Sequence, residues 1–271
     1  MQPLVSVLAI VAYLAIATLV FARLRAVAYG EEATQTSYIW LLWPAALVLH
    51  GLALYTRIFA QGGLDLGFFH ALSMVGWLVA LLLLVVALRR PLENLAVVLL
   101  PFAAVTLGLD TLFREIPLTV RPLSPGVEAH IFVSLLAYSL LTIAALQAGV
   151  LAVQNQHLHN HHPGGFIKAL PPLQHMECLL FRLIGLGFAL LTVALVTGFI
   201  FLEDIFAQHL VHKTVLSAAA WLVFAILLWG RWRFGWRGRT AIRWTLGGFA
   251  VLALAYFGSK LVLELILNIP A

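Results

Sequence analysis

Long stretches without a charged residue recur along this chain, separated mostly by short polar gaps. Runs of about 20 apolar residues are long enough to cross the hydrocarbon core of a bilayer as a helix. They fall at 3–22, 38–57, 67–88, 93–112, 128–153, 178–202, 213–230 and 240–264. Runs of that length do not suit the short alternating strands of a membrane barrel. A helix satisfies their backbone groups internally. The pattern predicts an all-α polytopic membrane protein: an eight-transmembrane-helix bundle forming a single integral membrane domain over 1–271. The one long connection is 154–177, and no soluble domain fits between spans. Segment 113–126, FREIPLTVRPLSPG, carries three prolines and reads as an irregular outer loop. Segment 199–212, FIFLEDIFAQHLVH, mixes aromatics with Glu203 and Asp204 and is expected to run along the surface before the seventh span.

Composition agrees with this picture. Of 271 residues, 63% are hydrophobic and 10% charged, and the mean hydropathy is +1.02. A soluble domain would be about half apolar and a quarter charged. The net charge of +5 fits the basic inner loops of a membrane protein better than a nucleic-acid partner, and none is expected. The single cysteine, Cys178, excludes disulfide frameworks, CxxC redox pairs and cysteine-rich metal sites. No cation precedes the first apolar run, and Arg23 and Arg25 follow it, so it reads as a span with its N-terminus outside. That orientation puts eleven of the 16 Lys and Arg side chains on inner loops and flanks, leaving Arg57, Arg114, Arg121, Lys213 and Lys260 outside. Both termini are then periplasmic, and the expected location is a bacterial inner (cytoplasmic) membrane.

The orientation sorts the ten histidines. His50, His70, His130, His209 and His212 fall at or near the outer face, and His157, His159, His161, His162 and His175 in the inner loop. His50 lies inside a span, roughly 10 Å below its outer edge at 1.5 Å per residue. An ionisable group there is costly and is either functional or specifically paired; a neutral imidazole bonded to a neighbouring helix is the plainer account. Arg57, at i+7, shares its face. A histidine below an arginine suits haem, nitrogen to iron and guanidinium to propionate, although Arg57 alone is an ordinary snorkelling residue. His70 has Met74 at i+4 and Trp77 at i+7, two possible axial ligands and a flat ring, or simply packing and interfacial anchoring. His130 opens the fifth span, with Ser134 and Tyr138 at i+4 and i+8 on the same face. His130 and His212 are each an interfacial residue or a ligand.

Other signals are weaker. The HLHNHH tract at 157–162 lacks a defined metal-ligand spacing and reads as a solvated loop. GRWRFGWRGR at 230–239 sits between two spans and reads as an inner-face anchor in the lipid bilayer. Asp110 is expected to pair with Arg114 at i+4. There is no P-loop, GxSxG, HExxH or Rossmann fingerprint.

Several stretches resemble cytochrome c assembly proteins of the CcsA/CcmC type. His130 with Tyr138 looks like the helix that opens on an outer haem-ligand histidine. HKTVLSAAAWLVFAILLWGRWRFGWRGR resembles the family's "KETW…W…F" helix and its basic exit, AYFGSK its "CYFGVN" ending, and LVLHGLALYTRIF its buried-histidine helix. The likeness covers most of the chain, is strongest over 128–260, and points to the short YpjD/HemX-like inner-membrane branch. It implies binding of haem b, presented at the outer surface for attachment to apocytochrome c, by an assembly factor rather than a catalyst. His50 would be the membrane-embedded iron ligand, His130 an outer ligand and His212 the next candidate. Arg57, Arg114 or Arg121 would meet propionates, and Phe201, Phe206 and Trp77 would pack against the ring. Implied partners are other cytochrome assembly or haem-biosynthesis proteins. The chain departs from the family's tryptophan-rich WWD stretch, where Phe201 and Phe206 stand instead; from a second buried histidine, where Trp229 stands; and from a terminal outer histidine, for which His212 is the nearest substitute. Those departures leave a second reading open, a non-enzymatic membrane regulator of the HemX kind. A solute transporter is a third, but no paired Gly/Pro-broken helices occur in matching halves.

Overall fold

Each apolar run forms a helix. The computed structural model describes residues 2–30, 37–58, 67–88, 95–113, 123–159, 170–201 and 208–258. Within them lie α1 (Gln2–Tyr29), α2 (Ile39–Ile58), α3 (Phe68–Ala87), α4 (Ala96–Leu112), α5 (Pro125–His159), α6 (Leu173–Phe201), α7 (Gln208–Phe234) and α8 (Gly238–Ala253). A π-helical turn, Leu254–Gly258, continues α8. No strand occurs among the described residues. Seven of these helices are long and apolar enough to cross a membrane; α4 is the shorter apolar one.

The helix ends differ from the apolar boundaries, for local reasons. α1 continues past the predicted end at 22 because good helix formers run on to Tyr29, and Gly30, at φ 74°, stops it in the left-handed region. α5 starts at Pro125, inside the segment expected to be irregular. Proline suits a first helical position because its fixed φ is already helical and its missing N–H has no partner to lose, and Glu128 in the first turn complements the positive helix end. His130 therefore lies in the second turn of α5. At its other end α5 runs to His159, so His157 and His159 are helical rather than in a loop. Residues 199–201 complete α6 and 208–212 already belong to α7, so the expected surface segment is at most the part between them, which lies outside the described residues.

Two compact units result. The first comprises Met1–Val120 with Gln156–Pro172, the second Arg121–Asn155 with Leu173–Ala271. In the first, α1 packs on α2 and α4, and α3 on α2 and α4, closing a ring of four helices. Small side chains let them approach: Ala9, Ala53 and the buried Leu107 share one cluster. A Cβ at Gly76 of α3 would overlap Thr106 of α4. Such close backbone approach is the main source of helix association in lipid. Two indoles cross-link α2 and α3, Trp43 donating to the Ala80 carbonyl at 3.3 Å and Trp77 to the Leu47 carbonyl at 2.9 Å.

In the second unit α7 packs against α6, α8 and the π-turn. Trp221 of α7 donates to Thr192 Oγ1 of α6 at 2.9 Å and stacks on Phe188. α5 meets α6 through buried Gln147, whose amide donates to the Met176 carbonyl at 3.3 Å. α7 ends at Gly235, at φ 67°, where the Gly235 N–H returns to the Arg231 carbonyl. The start of α8 is capped from outside: Glu177 Oε1 of α6 accepts the Gly238 N–H at 2.7 Å.

Candidate functional site

His50 sits in the middle of α2 and is completely buried. Both ring nitrogens are engaged: Nδ1 lies 3.3 Å from the Tyr13 hydroxyl of α1, and Nε2 lies 3.1 Å from Ser73 Oγ of α3. The Tyr13 ring meets the imidazole edge-on, with centroids 5.7 Å apart. Burying an imidazole without partners would be expensive, and the two hydroxyls remove that cost. In this arrangement His50 bridges three helices. It offers iron a lone pair only where Ser73 or Tyr13 gives up its place.

Arg57, two turns along α2, does not stand free. Its guanidinium donates to Asp110 Oδ2 at 2.5 Å and to the Asp110 carbonyl at 2.9 Å. It also donates to Ser6 Oγ and Thr111 Oγ1, both at 3.3 Å. Asp110 faces α2, and its carboxylate oxygen Oδ2 and main-chain carbonyl accept from Arg57 across the bundle; the expected Asp110–Arg114 pair falls on a residue outside the described ones. The second carboxylate oxygen, Oδ1, is 3.7 Å from His70 Nδ1 at the start of α3. One polar cluster thus draws on all four helices. Trp77 is half-buried, its indole N–H spent on Leu47 and its ring lying over Gly51 of α2.

In the second unit, His130 is half-buried between α5 and α6. Its Nδ1 lies 3.2 Å from Thr197 Oγ1. The ring edge rests on Gly198, where an added Cβ would come within 2.8 Å of Cε1. One turn toward the end of the same seam, the Phe201 ring lies over Gly126. Gly126 and His130 are four residues apart on α5, as Thr197 and Phe201 are on α6, so the structure brings His130 and Phe201 onto one seam. Two turns below His130, Tyr138 packs against Phe249 of α8 and against Tyr256 and Phe257 of the π-turn, with centroids 5.6, 6.4 and 5.2 Å away.

His212 is exposed in the first turns of α7. Phe206 and Arg121 lie outside the described residues. No cluster of three or more His, Cys, Asp or Glu side chains able to hold a metal occurs among the described residues. One or two imidazoles on a haem iron remain compatible with that set. Of the candidates, His130 fits such a ligand in place, since one nitrogen is anchored and the other is unused by any described hydrogen bond. His50 fits only after an exchange. Sequence reasoning missed Tyr13, Ser73 and Thr197. Each was visible as a hydroxyl inside an apolar run, but which histidine it would meet depends on helix rotation.

Residues 38–267 match the family described as cytochrome C assembly protein. Inner membrane protein YpjD of Escherichia coli (strain K12) is 36% identical over 223 residues, 82% of this chain and 84% of that protein. Cytochrome c biogenesis protein CcsA of Chlamydomonas reinhardtii is 28% identical over 53% of this chain and 41% of its own. CcsA of Gloeothece citriformis (strain PCC 7424) is 29% identical over 42% and 36%. No solved structure matches the chain.

Proposed function

The chain belongs to the cytochrome c assembly protein family, and from that membership we propose that it holds haem b at the outer face of the membrane and presents it during cytochrome c assembly. It is a multi-pass inner-membrane protein, and its family supports a role in cytochrome c biogenesis. The observation that carries the finer reading is the seam between α5 and α6. There an imidazole is anchored through Nδ1 by Thr197, with Phe201 one turn away. Haem bound there supplies the iron porphyrin that an apocytochrome requires. The chain's own residues do the holding. His130 would give the iron a nitrogen, and Phe201 would supply an aromatic surface for the ring. His212 is the remaining outer candidate in the second unit, and His50, within the first unit, would be open to iron only by exchanging its Ser73 contact. Arg57 is committed to Asp110, and Arg114 or Arg121 would meet the propionates.

Purified protein supplied with haem in detergent is expected to develop a Soret band with about one haem per chain. Absence of that band after haem addition overturns the proposal.

A second reading draws on the first unit. There both nitrogens of His50 and the guanidinium of Arg57 are spent on helix packing, as a non-enzymatic regulator or accessory partner would need. Haem-free co-purification of one specific partner favours that reading.

A further inference from the structure

The hydroxyl of Thr197 has its hydrogen committed within α6: Oγ1 lies 2.8 Å from the Val193 carbonyl and 3.0 Å from the Ala194 carbonyl, and donates into that pair. A hydroxyl carries one hydrogen and two lone pairs. With the hydrogen spent, the face of Oγ1 turned to His130 Nδ1, at 3.2 Å, can only accept. Two lone pairs facing each other would repel, so the ring proton must sit on Nδ1. A neutral imidazole has one N–H, so the lone pair is left on Nε2. Gly198 contributes shape: its missing side chain lets the ring edge lie against α6, so ring rotation is restricted at the same place.

We infer that Thr197 is the positioning residue for His130, selecting the Nδ1–H tautomer and aiming the Nε2 lone pair as the ligand to iron. This rests on the proposed haem role of His130 and adds the residue that makes that histidine ready to act. The arrangement follows a general rule for ligating histidines, in which the second ring nitrogen donates to a fixed acceptor and so sets tautomer and orientation. Helical spacing alone does not reveal it, because Thr197 is 67 residues from His130 and looks like any threonine bonding back to its own helix.

The test uses the full chain, with 15N-labelled histidine, first without haem. The wild type is expected to show the His130 ring as the Nδ1–H tautomer. Thr197→Val, which keeps the shape and removes the acceptor, is expected to lower that population. Thr197→Ser is expected to restore it. An Nε2–H ring in the wild type, or an unchanged ring in Thr197→Val, overturns the inference. Haem titration then reads the consequence: about a tenfold weaker dissociation constant in Thr197→Val, the lower end of the usual cost of losing such a partner, with recovery in Thr197→Ser. Unaltered affinity in Thr197→Val also overturns it. A wild type that binds no haem removes the haem role of His130 while the tautomer measurement stands or falls separately.

Discussion

Arg57 of α2 reaches across the first unit and donates to both the side-chain and main-chain oxygens of Asp110 on α4. The Asp110 carboxylate is fully buried and the Arg57 side chain nearly so. A pair of that kind contributes little net stability over an apolar pair of the same size, yet losing one partner leaves a charge stranded. Arg57→Ala or Asp110→Ala is therefore expected to cost about 3–5 kcal/mol. Arg57→Met combined with Asp110→Leu should recover most of it. Thermal unfolding in detergent makes the comparison, and single variants as stable as the wild type would remove the clasp from the account.

Glu177 caps α8 from a neighbouring helix, its carboxylate on the Gly238 N–H at the positive helix end. Loss of a cap of this type costs about 1 kcal/mol. Glu177→Ala should lose that amount and speed amide exchange at the start of α8. Glu177→Gln, which keeps an acceptor oxygen, should fall between. Equal exchange in all three proteins would mean that the contact does not hold the helix end.

Gly76 faces Thr106 with no room for a methyl group. Gly76→Ala should force α3 from α4 and destabilise the first unit by about 1–3 kcal/mol, the usual range for overpacking. Adding Thr106→Ala should return part of the loss. Additive losses in the double variant would contradict a direct clash.

Ser73 competes with any metal for His50 Nε2. Ser73→Ala strands that nitrogen in the haem-free protein, at a cost of about 1–3 kcal/mol. It should also tighten haem binding, because the ligand no longer has to leave a hydrogen bond. Unfolding and haem titration on the same samples report both effects. Weaker binding in Ser73→Ala would argue against His50 as a ligand.

Much of the fold could be read from the order of apolar and polar residues. The eight runs became eight helices because a run of that length has no other way to satisfy its backbone. The ends were less legible, since the apolar boundary marks where lipid contact stops rather than where a helix must. α5 therefore extends to His159, and α1 to the positive-φ Gly30. Residue type and depth, which sequence displays, mark the candidate histidines and arginine. Their partners were not visible: Arg57–Asp110 spans 53 residues and Tyr13–His50 spans 37. The i+4 spacing pointed Asp110 to Arg114, which lies outside the described residues, and gave no sign of the contact with Arg57 from another helix. The family resemblance points to Phe201, and its place one turn from His130 follows from α5 and α6 packing side by side in register, which no single helix pattern encodes.

The most direct test of the central claim is the absorption spectrum of haem-supplied protein with His130→Gly, taken with and without added imidazole. The account predicts that this variant loses the axial-ligation features of the wild-type spectrum and regains them when imidazole fills the space left by the side chain. A His130→Gly spectrum identical to that of the wild type would contradict it.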